Sequence, residues 1–96
     1  MIEYSQKDIE QGKILKNRFT LLKLREHCAS MSAKEFSINI NNWIQWRSLN
    51  KELDNLLDYY DNGGKINEDL LIKLNDKKLE NNLITVKRLV KLIRIV

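Results

Sequence analysis

His27 and Cys28 are the only histidine and the only cysteine in the 96-residue chain, and they stand side by side. A thiolate nucleophile and an imidazole base must face each other to work together. Neighbouring residues on a helix point about 100° apart, so one helix cannot bring this pair together. With no second His or Cys, a zinc site lacks ligands. Gly63-Gly64 does not have the Gly-x-x-x-x-Gly-Lys spacing that cradles phosphates. Asp58 and Asp61 are expected on a solvated face, where carboxylates keep their ordinary acidity. No catalytic group, metal, cofactor or small-molecule substrate is therefore expected. The expected mode of action is binding, not catalysis.

What could bind depends on charge and on which side chains face out. The chain carries 17 Lys and Arg against 13 Asp and Glu, a net charge of +4. Residues 1–34 carry +3, residues 35–64 carry −3 and residues 65–96 carry +4. Basic ends around an acidic middle suit either nucleic acid at the flanks or attraction between segments of the fold. A single cysteine excludes an internal disulfide framework and fits a reducing compartment. The first residues hold no apolar run of signal-peptide type, and no stretch approaches transmembrane length. The expectation is a soluble intracellular protein of the cytoplasm or nucleoid, with no membrane partner.

The elements that position these residues are helices. Hydrophobic residues make up 43% and charged residues 31%, proline is absent, and glycine occurs only at 12, 63 and 64. This composition predicts an all-α fold, a compact single-domain bundle of four to six helices over residues 1–96. At its centre lies a long helix over about 39–61. Trp46, Leu49, Leu53, Leu56 and Tyr60 alternate spacings of three and four, with Trp43 and Leu57 on the same arc. Asn39 is its expected N-cap and Asn62-Gly63-Gly64 its stop.

Ser5 and Asp8 form a capping-box pattern for a first helix. Ile14, Leu15, Phe19, Leu21, Leu22 and Leu24 span more than half its circumference, which predicts burial on two sides. Lys13, Lys16 and Lys23 share its outer stripe. A break is expected over 28–32, followed by a short helix from Ala33 to about Ser37 capped by Ser30 or Ser32. After the glycine pair, Asn67 caps a helix with Leu70, Leu71 and Leu74 inward. Thr85 caps a last one, with Val86, Leu89, Val90, Ile93 and Val96 on one face and Lys87, Arg88, Lys91 and Arg94 on the other.

Ala33, Phe36, Ile38, Trp43 and Trp46 follow one another at separations of three, two, five and three. This pattern resembles the phage-repressor class of helix-turn-helix DNA-binding domains over about 18 residues. The resemblance makes these five residues core anchors, with Ala33 as the small residue at the helix crossing. Ser32 stands where that class has an apolar residue, and Ser37 where it has glycine. It implies a small regulatory protein acting on duplex DNA, with a homodimer as one form. With both indoles inward, Asn41, Gln45 and Ser48 make the outward stripe that could read bases, and Arg47 flanks it. Lys13, Lys16, Lys23, Lys87, Arg88, Lys91 and Arg94 are the candidates for phosphate contacts.

A second reading stays open beside it. Two heptads from Trp46 to Tyr60 are too short for an autonomous coiled coil but enough for a partner interface. The C-terminus also carries apolar area on both sides of its helix. The alternative is a helical protein–protein interaction module, or a small inhibitor or adaptor.

Overall fold

The computed structural model describes residues 5–95, so Val96 lies outside the described residues. Four helices carry the chain: α1 (Gln6–Glu35), α2 (Ile40–Asp61), α3 (Glu68–Asn75) and α4 (Leu83–Arg94). Among the described residues no strand occurs.

Local chemistry sets most of the boundaries. The Ser5 side chain accepts from the Asp8 backbone N–H at 3.2 Å and so starts α1. Asn39 accepts from the N–H groups of Asn41 and Asn42 at 3.1 and 3.2 Å and starts α2. Asn67 caps α3 in the same way through Leu70. The last helix starts earlier than expected: Asn82 is the N-cap and the Thr85 N–H is its donor. Asparagine is the stronger cap, and it wins over the threonine three residues on.

The end of α2 needs both glycines. Gly63 N–H donates to the Tyr60 carbonyl at 3.1 Å and Gly64 N–H to the Tyr59 carbonyl at 2.8 Å, a Schellman termination. Gly63 holds φ at +87°. A Cβ on Gly64 would stand 2.5 Å from the Tyr59 ring.

The break expected over 28–32 is absent. The first helix runs unbroken for 30 residues through Ser30 and Ser32, and no separate short helix follows. Cys28, Met31 and Ser32 are buried there. Their packing outweighs the weak local pull of serine out of the helix.

Three contacts define how α1 and α2 lie. Phe36 meets Trp43 with ring centroids 5.1 Å apart, Arg25 pairs with Asp54 at 2.8 Å, and Arg18 pairs with Asp61 at 3.0 Å. Each step back along α1 is matched by an equal step forward along α2, first of eleven residues and then of seven. The two helices therefore run antiparallel, side by side, for about 27 Å. Helices crossed at the roughly 90–120° of a DNA-binding helix-turn-helix would part long before that. The turn at residues 36–39 is present; the steep crossing is not.

The last helix packs on α2 in the parallel sense. Gln45 contacts Lys87 and Glu52 contacts Arg94, a step of seven on both. The third helix bridges α1 and α4. The four helices close into a ring in the order α1, α2, α4, α3, with α1 and α4 on a diagonal. Its centre is filled by Trp46, Leu21, Leu24, Leu53, Leu71, Val86, Val90 and Ile93, all essentially free of solvent. The molecule measures 54 × 26 × 17 Å, because α1 extends past the ring: from Gln6 to Lys16 every side chain is exposed.

Candidate functional site

His27 and Cys28, the chain's one histidine and one cysteine, both take part in the packing of the fold. The His27 ring donates from Nε2 to the Glu80 carbonyl at 2.7 Å and meets the Trp46 indole edge-on at 6.1 Å. Cys28 is fully buried, and burial pushes its thiol from an ordinary 9.0 up to about 12. Among the described residues no three His, Cys, Asp or Glu side chains gather as metal ligands would.

A cleft of about 600 Å³ lies where the α1 overhang meets the loop into α3, between Ile14, Tyr60 and Lys65. At its wall Asn17 Nδ2 donates to the Tyr60 hydroxyl at 3.3 Å, and that hydroxyl donates to Glu68 at 3.2 Å. Burial is the main cause raising the Tyr60 pKa, with the Asn17 hydrogen bond pulling the other way. These three side chains are bonded to one another, and Lys65 and Asp69 add to the polar lining.

The residues expected to read DNA fall together in part. Asn41 and Ser48 are exposed on α2, while Gln45 is half-buried and its Oε1 accepts from Lys87 Nζ at 2.8 Å. That bond joins the polar stripe of α2 to the basic stripe of α4, where Lys87, Arg88 and Lys91 are exposed. Arg94 is tied to Glu52 at 3.2 Å. Arg47 lies over the Trp43 ring, 5.4 Å from its centroid. Lys13, Lys16 and Lys23 belong to α1, diagonally across the ring from α4, so they lie apart from this face.

The five expected core anchors separate. Trp46 is buried at 1% exposure and Trp43 is half-buried. The other three are corrected by the structure: Ala33 is exposed, Phe36 is 62% exposed and Ile38 79%. The side-by-side hairpin explains this. With no steep crossing there is no third surface above the turn for Phe36 and Ile38 to fill. For the same reason α1 is buried on one side only, and Ile14, Leu15 and Phe19 stay 48–66% exposed.

The feature not anticipated is the hairpin tip. Beside Phe36 and Ile38 stand Ile40 at 61% and Ile44 at 50% exposure. A signal for it existed: Ile40 and Ile44 are four apart and fall off the arc of Trp46, Leu49 and Leu53. The turn's backbone is nevertheless well paired, with Ile38 and Asn39 N–H both donating to the Glu35 carbonyl at 3.1 and 2.9 Å.

No protein-family model, curated protein or solved structure matches this chain.

Proposed function

We propose that this chain is a helical interaction module that acts by binding, and that it meets its partner with the tip of the α1–α2 hairpin. One observation carries the reading: two large apolar side chains of the turn, Phe36 and Ile38, and two from the start of α2, Ile40 and Ile44, are all 50–79% exposed. Turns are normally built from Gly, Asn, Asp, Ser and Pro, and a contiguous apolar patch on a small protein marks an interaction site. The antiparallel packing of α1 on α2 and the buried Trp46 place this tip at one end of the hairpin.

A photo-crosslinking side chain at Ile38, in the cells that make the protein, tests this. Capture of a partner from position 38 and not from Phe19 supports the proposal. Capture from position 19 alone contradicts it.

A second reading, duplex-DNA binding of a regulatory kind, is favoured by the Gln45–Lys87 hydrogen bond, which unites polar and basic stripes in one face. It predicts a mobility shift whose strength falls steeply with salt and is lost on Asn41→Ala with Gln45→Ala. Salt-sensitive binding that ignores this double change would reflect charge alone.

A further inference from the structure

We infer that the hairpin tip docks on an anionic lipid surface, resting there without crossing it. The inference rests on the proposal that the tip is the binding surface, and it names the partner.

Charge makes the first argument. From residue 30 to residue 50 the only acid is Glu35, which is half-buried, while Lys34 and Arg47 are exposed. Lys87 and Arg88 of α4 lie at the same end, since Lys87 touches Gln45. Two copies meeting tip to tip would oppose these cations, which disfavours self-association. An anionic surface attracts them, at about 1 kcal/mol for each Lys or Arg brought near it.

Shape makes the second. The tip is a convex turn, and a bilayer interface accommodates a convex apolar wedge without a matching groove. Ile38 stands at the apex, and Trp43 follows Ile40 by three residues and Arg47 by seven. At 1.5 Å per residue these lie about 5 and 10 Å back along α2, the depth range of an interfacial anchor. Tryptophan and arginine at that level meet the headgroup zone, where an amphipathic ring and a phosphate-pairing cation are favoured.

Backbone pairing makes the third. Polar backbone entering a poorly hydrated region must carry its hydrogen bonds with it. Here Glu35 O accepts from Ile38 and Asn39, the Asn39 side chain accepts from Asn41 and Asn42, and Asn39 O accepts from Trp43. No described helix is long and apolar enough to cross a membrane.

The test is co-sedimentation of the full chain with phosphatidylcholine vesicles carrying about one-third phosphatidylglycerol. Ile38→Ser with Ile40→Ser, which removes apolar area without adding charge, should weaken binding at least about tenfold while the melting temperature holds, since both side chains are exposed. Arg47→Gln should weaken it less, and pure phosphatidylcholine should bind least. Binding unchanged by Ile38→Ser/Ile40→Ser overturns the inference, because the basic α4 face would then suffice. No binding to either vesicle also overturns it; if position 38 still crosslinks to a protein, the tip remains a binding surface and only the lipid assignment falls.

Discussion

Asn17, Tyr60 and Glu68 show how a single residue couples three elements. Asn17 is 2% exposed and its amide donates to the Tyr60 hydroxyl, which in turn donates to Glu68 at the start of α3. Removing the hydroxyl in Tyr60→Phe leaves a buried amide donor unpaired, which should cost about 1–3 kcal/mol in urea denaturation. Cys28 gives a sharper chemical prediction. Its thiol is held protonated in the folded chain up to about 12, against 9.0 ordinarily. A group whose folded pKa is raised contributes stability that is complete below its unfolded pKa and is lost as pH rises through the folded one. Stability should therefore decline from about pH 9 toward pH 12, as read by denaturant midpoints. Cys28→Ala should remove the onset near pH 9 and leave the Tyr60 contribution at higher pH. At pH 8 the native thiol should resist a disulfide reagent and react only on unfolding.

Among the elements, the hairpin organises the rest, and its legibility was uneven for physical reasons. Caps are local: Ser5, Asn39 and Asn67 each bond within three residues, so sequence alone located them. The continuity of α1 is not local. Ser30 and Ser32 invite a break, and only packing of Cys28, Met31 and Ser32 beneath the hairpin overrides them. The inward stripe of α2 was readable because period and burial coincide. The exposure of Phe36 and Ile38 was not, since an apolar side chain at a crossing and one at a free tip look alike in sequence. Two substitutions check the elements. Asn39→Ala should cost about 1 kcal/mol by removing the N-cap of α2. Gly12 has nothing within 4 Å of where a Cβ would stand. In the α1 overhang, Gly12→Ala should therefore gain about 0.5–1 kcal/mol of local helix stability, seen as slower amide exchange around residue 12.

At the scale of the whole molecule, the four-helix ring separates a core closed around Trp46 from the exposed α1 overhang, the apolar tip and the α2–α4 face. The residues of the α2–α4 face come from distant stretches, so Gln45 and Lys87 could each be nominated from sequence but not joined. The cations of α1 are excluded from that face by the diagonal placement of α1 and α4. Everything proposed for the tip requires that the ring bury one indole and leave the other at the tip's base. Acrylamide quenching of two single-tryptophan variants measures this directly. With Trp46→Phe, the remaining Trp43 should be readily quenched; with Trp43→Phe, the remaining Trp46 should be shielded until the chain unfolds. A shielded Trp43 beside a quenchable Trp46 would contradict this arrangement of the hairpin and the binding surface assigned to its tip.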